Sequence, residues 1–160
     1  MKNIVTSKLL YRAIGIFIGM VFVYAGATKL TDTLTFASTI DGYGLVSWGM
    51  AKLLSKVLPV VEIVTGVALI LDIRGALGMI VAQLLVFMVV LGYGIHMGLD
   101  ADCGCFGPSD GGGDQSGGLW PTMIRDAFMF GACLLMYWQR RVAGFIPRSL
   151  IPLRFFNASE

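Results

Sequence analysis

Charge is what this sequence lacks. Only 14% of its 160 residues are Asp, Glu, Lys or Arg, against about one-quarter in soluble domains. Hydrophobic residues make up 56%, and the mean hydropathy is +0.78. This excludes an ordinary water-soluble domain and points to a single membrane domain over residues 1–160. A net charge of +2 is too small to argue for a nucleic-acid partner. Metal-binding side chains are scarce too, with one histidine and three cysteines. Two of those cysteines form a C-x-C pair, but no second C-x-C or C-x-x-C accompanies it, so a zinc or iron–sulfur site would be incomplete. The glycine-rich run 107–118 has no lysine and no strand-to-helix context, which excludes a phosphate-binding loop.

What the chain does have is four long apolar stretches, expected as spans at about 10–28, 53–71, 75–97 and 119–138. The start of the first, with Lys2, Lys8 and Arg12 before an apolar core, resembles a signal peptide, but the run is longer than most signal cores and reads as a retained helix. Gly15 and Gly19 put two small residues on one face of it, a spacing that serves internal helix packing. Between the first two spans, Leu30, Leu34, Ala37 and Ile40 recur at helical spacing behind Thr31 and Asp32. They predict a short capped helix at the membrane surface, with Tyr43 and Trp48 as interfacial anchors. Asp72 and Arg74 sit in a very short turn, so the spans on either side of it are antiparallel neighbours. In the fourth span Trp120 and Trp138 bracket the hydrocarbon, and Cys133 reads as a packing residue. The expected architecture is therefore an all-α membrane protein, a four-transmembrane-helix antiparallel bundle with a short interfacial helix after the first span. An interfacial tail follows over 139–160.

Chemistry concentrates in Asp102-Cys103-Gly104-Cys105-Phe106-Gly107, in the only long polar stretch. A disulfide between cysteines this close in sequence meets ideal geometry with difficulty, so it should be strained and easily reduced. As a static staple it would contribute little, because closing so short a ring removes little chain entropy. A soft-metal site for Cu(I) is the other rival, with His96 and Met97 just upstream.

Which compartment the pair faces decides between these readings. Eight basic residues (Lys2, Lys8, Arg12, Arg74, Arg140, Arg141, Arg148 and Arg154) fall on the side of the termini, and three (Lys29, Lys52 and Lys56) on the other. By the positive-inside rule both termini are cytoplasmic and the loop 98–118 faces outward. Span counting then places Lys29, Glu62, Tyr93, His96, Arg125 and Asp126 in the outer half of the bundle, beneath the cysteines. An ionisable residue at the depth of Glu62 is costly unless paired, protonated or wetted. Arg125 is expected at a similar depth and is the partner this reading assigns to Glu62. A cation near a thiol lowers its pKa and raises its reactivity.

Several of these features coincide with one family. Gly26-x-x-Lys29, Tyr43, Leu58-Pro59-x-x-Glu62-x-x-x-Gly66, the Cys-Gly-Cys motif and Arg125 together resemble the MauE/DoxX group of small four-helix membrane proteins, and the MauE branch in particular. The sequence departs from the pattern in its glycine-rich insertion after Gly107 and in Asp126, where the family favours an amide. The resemblance implies an auxiliary membrane protein of periplasmic redox maturation, similar to the MauE protein needed when the disulfide-rich small subunit of methylamine dehydrogenase is made. It also suggests quinone-linked electron transfer, although no quinone motif and no other cofactor motif is evident.

The leading reading is a thiol–disulfide exchanger in a bacterial inner membrane. Cys103 and Cys105 would cycle against a periplasmic thioredoxin-like or maturation partner, with Glu62, His96 and Arg125 tuning the thiols and carrying protons. The rivals are a non-catalytic membrane chaperone or anchor and a Cu(I)-handling protein.

Overall fold

A computed structural model describes residues 8–98 and 119–143. Five helices occupy these residues: α1 (Lys8–Thr31), α2 (Thr33–Gly42), α3 (Trp48–Ile70), α4 (Ala76–His96) and α5 (Leu119–Ala143). All but α2 are long and apolar enough to cross a bilayer, so the protein is a multi-pass membrane protein. The observed ends of α1, α3 and α5 reach up to five residues past the expected spans, as apolar periodicity alone does not fix a helix end. The tail expected from residue 139 is helical to Ala143, and its remainder lies outside the described residues.

These helices are apolar on nearly every side, as expected where lipid replaces water. In α3 the buried seam is Ala51, Ser55, Pro59, Glu62, Thr65, Gly66 and Leu69, a recurrence of three and four residues that keeps one face turned inward. Val57, Val60, Val64 and Val67 lie on the exposed side and read as lipid-facing. Leaving lipid for a protein neighbour yields no hydrophobic gain, so close packing and polar pairs must hold such helices together.

Close packing is most evident between α1 and α3. A Cβ added at Gly19 would lie 2.6 Å from the Gly66 carbonyl oxygen, and one at Gly66 would lie 2.7 Å from that of Gly19. Further along, Gly26 meets the Pro59 carbonyl and the side chains of Glu62 and Ile63. As the position rises along α1 it falls along α3, so the two run antiparallel. Gly15 faces Met136 of α5, which confirms internal packing as the use of both Gly15 and Gly19. The α4–α5 pair is antiparallel as well, with Gly94 against Leu119 and Gly78 against the Tyr137 hydroxyl. Ile18, Leu77, Ile80, Leu84, Cys133 and Met136 fill the centre. Cys133 is fully buried there as a free thiol, in the packing role expected of it.

The turn from α3 to α4 places Asp72 at φ 57° and Gly75 at φ 96°. A left-handed aspartate is uncommon, and its carboxylate is put to use. Tyr11 Oη donates to Asp72 Oδ1 at 2.7 Å, Arg140 Nε donates to Tyr11 Oη at 2.8 Å, and Arg140 Nη2 reaches Asp72 Oδ1 at 3.3 Å. This clasp ties α1, the turn and α5 at one end of the bundle.

At the other end, α2 packs against α3. Asp32 caps α2 as expected, accepting from the Thr35 backbone N–H at 3.0 Å and from its hydroxyl at 2.6 Å. The hydroxyl bond, followed by the backbone bond, holds the Asp32 carboxyl below the usual carboxylate range. Trp48 is half-exposed, whereas Tyr43 is only 8% exposed. Tyr43 is therefore not an interfacial anchor: its ring is buried against Gly94, Leu91 and Leu119.

Candidate functional site

Lys29 closes the buried seam of α1, one turn after Gly26. The absent side chain at Gly26 lets α1 approach α3 at Pro59 and Glu62. That approach brings Lys29 Nζ to 2.5 Å from Glu62 Oε1, with the two side chains 3% and 2% exposed. The ammonium also sits 4.8 Å from the Phe87 ring centroid and 5.3 Å from that of Phe36, where the negative ring faces attract it. α2, α3 and α4 thus each contribute one group to the neutralisation of a single buried cation carried by α1.

Glu62 is therefore paired with Lys29, and the pairing expected with Arg125 does not form. Arg125 bonds its sequence neighbour instead: Nε and Nη2 donate to Asp126 Oδ1 at 3.1 and 2.9 Å. Depth had suggested the first pairing, but helix rotation decides the partner. Lys29 occupies the inward face of α1 directly opposite Glu62. Asp126 is buried and Arg125 is partly exposed. The two ion pairs lie near enough for Arg125 and Asp126 to act electrostatically on Glu62, and the four charges sum to zero.

All four charged residues line one cavity of about 280 Å³. Its other walls are mainly apolar and aromatic, among them Phe22, Phe36, Tyr43 and Phe87. Glu62 Oε2 is buried without a hydrogen-bond partner among the described residues. Beside this centre, Thr65 Oγ1 donates to Gln83 Oε1 at 2.8 Å, linking α3 to α4.

Of the residues singled out from sequence, Lys29, Glu62, Arg125 and Asp126 converge on this cavity. His96 ends α4 and is exposed, as is Tyr93, and neither lines it. Cys103 and Cys105 lie outside the described residues. Among the described residues no cluster of three or more His, Cys, Asp or Glu is arranged to hold a metal. The sequence reading missed the cage of Phe36 and Phe87 around Lys29. Gly26-x-x-Lys29 was the available signal, because a glycine one turn before a lysine lets the helix bearing that lysine press close to its neighbour.

No curated protein and no solved structure matches the chain. The family model described as methylamine utilisation protein MauE matches residues 7–139. That match takes in both ion pairs, the cavity and the Cys-Gly-Cys segment, and by it the chain belongs to the MauE family.

Proposed function

We propose that this protein is a membrane thiol–disulfide exchange protein of the bacterial inner membrane, acting in the maturation of disulfide-bearing proteins. Both termini are cytoplasmic in this reading, and Cys103 and Cys105 face the oxidising side. The eight-to-three distribution of basic residues supports that orientation. The exchange itself balances without another reagent: the Cys103–Cys105 disulfide forms as a thioredoxin-like partner's disulfide is reduced, or the reverse. Two thiol protons and two electrons pass from one pair to the other through a mixed disulfide.

The observation that carries this reading is where the segment bearing the cysteines is anchored. It follows Gly98, two residues beyond the end of α4 at His96, and is followed by α5 from Leu119, and Leu119 packs with Tyr43 and Leu91. Tyr43 and Leu91 also line the charged cavity. Cys103 follows Gly98 by five residues, a tether of at most about 18 Å when fully extended. Arg125, six residues into α5 and bonded to Asp126, is the cation to which this reading gives the favouring of a thiolate. His96, the one histidine of the chain, is exposed two residues before Gly98 and is the imidazole that this reading uses to carry protons.

The test uses the full chain reconstituted in liposomes, reduced, freed of reductant and mixed with an oxidised thioredoxin-fold protein. Quenching with acid and alkylating the remaining thiols counts them on both proteins. Exchange converts two thiols on this chain into two on the partner, and Cys103→Ser and Cys105→Ser abolish the transfer. If the partner gains no thiols while binding tightly, the protein is a non-catalytic anchor.

A further inference from the structure

The cavity holds an unmet demand that the protein's own described residues do not answer. A carboxylate oxygen buried without a donor costs more than a missing hydrogen bond elsewhere, since the desolvation of a charged acceptor is not recovered. Glu62 is 1% exposed, its Oε1 is held by Lys29 and its Oε2 has no partner among the described residues. The Lys29 ammonium is already engaged by Oε1 and the two phenylalanine rings. The group that completes this site must therefore bring a hydrogen-bond donor.

The surroundings narrow its chemistry. Apart from the four charged residues the walls are mainly apolar, and Phe22, Phe36, Tyr43 and Phe87 supply aromatic surfaces suited to a ring. Leu45 and Val86, 50% and 57% exposed, also line the cavity, so it reaches the apolar outer surface of the bundle. A ligand dissolved in the bilayer meets that surface without crossing water. An apolar cavity of about 150 Å³ holds benzene, so about 280 Å³ accommodates roughly a dozen non-hydrogen atoms on the same scale.

We propose that this cavity binds a lipophilic phenol taken from the membrane, its hydroxyl donating to Glu62 Oε2 and its ring lying among Phe36, Tyr43 and Phe87. This binding stands on the cavity and Glu62 alone, whether or not the cysteines exchange.

The probe is 4-hexylphenol, compared with 4-hexylanisole, which keeps the ring and chain but has no donor. Both are titrated against the full protein in lipid nanodiscs, with binding read from the thermal midpoint and free ligand corrected for partition into empty discs. The phenol is expected to bind about tenfold more tightly than the ether, the usual worth of one hydrogen bond to a charged group. Replacing both Lys29 and Glu62 by Met should bring the ratio near one while keeping the pocket apolar. Leu58→Trp, which fills the cavity, should remove binding of both probes. Equal affinity of phenol and ether for the native protein would overturn the proposal, because the carboxylate would then recognise nothing. Absence of binding by either probe would overturn it too, leaving water as the occupant. Both decisive comparisons use the unaltered protein, so a poorly folded variant does not obscure them.

Discussion

Lys29→Met is the most informative single change in the bundle. It leaves Glu62 without its paired cation in a site where the Glu62 side chain is 2% exposed, and breaking a buried pair from one side costs about 3–5 kcal/mol. The attraction of the ammonium to Phe36 and Phe87 is lost as well, at roughly 0.5–2 kcal/mol for each ring. Glu62→Met strands the ammonium at a similar cost. Were the two effects independent, the double variant would lose about 7–14 kcal/mol, comparable with the whole stability of an ordinary protein, about 5–15 kcal/mol. If the two residues act as a pair, the double variant instead loses no more than the attraction to the two rings, since two apolar side chains of similar length leave no charge stranded. Reversible unfolding in mixed lipid–detergent micelles, followed by tryptophan fluorescence, measures all four corners of this cycle. Additive losses would refute the pairing as an energetic unit. A parallel cycle between Glu62 and Arg125 should show the smaller coupling, because Arg125 bonds Asp126.

Other consequences concern packing and caps. Gly19→Ala and Gly66→Ala each push a Cβ to within 2.7 Å of a backbone carbonyl, a contact no rotamer can relieve, and should each cost about 1–3 kcal/mol in the same unfolding assay. Gly92→Ala and Gly131→Ala meet nothing within 4 Å and should be neutral or stabilising by about 0.5–1 kcal/mol. Tyr11→Phe removes the hydroxyl shared by Asp72 and Arg140, and a loss of about 1–2 kcal/mol is expected. The capped Asp32 carboxyl has its pKa lowered by Thr35, so its contribution is present above the ordinary unfolded value near 3.9. It disappears as pH falls through the lower, folded value. A carbon-detected NMR titration should place the Asp32 midpoint below about 3.9, and a midpoint at or above that value would contradict the cap.

Depth along each span was legible in the sequence, and rotation about each helix axis was not. Apolar run length set the spans, and Asp32 with the Leu34–Ala37 spacing announced α2 and its cap. The Gly15 and Gly19 spacing pointed correctly to internal packing. The partner of Glu62 depended on which face of α1 turns inward, and the close approach at Gly26 and Gly66 decides that. Counting residues from a span end placed Arg125 at the right depth but could not see that Asp126, one position away, would hold it. Tyr43 misled for a related reason: aromatic residues near span ends usually face the interface, but Gly94 opens a hole in α4 that this ring fills. A cation held by aromatic rings from two other helices leaves no periodic trace, so Gly26-x-x-Lys29 signals the close-packed lysine but not the rings around it.

The central claim is that Cys103 and Cys105 are a redox-active pair. It is tested most directly by thiol trapping in native membranes equilibrated over a graded series of glutathione and dithiothreitol potentials, with buried Cys133 as the internal reference. A reversible two-electron transition at a potential above about −300 mV, where labile and catalytic disulfides lie, is the expected result. A pair that stays oxidised well below that potential would be a structural staple, one that never oxidises would be no disulfide at all, and either result would contradict the claim.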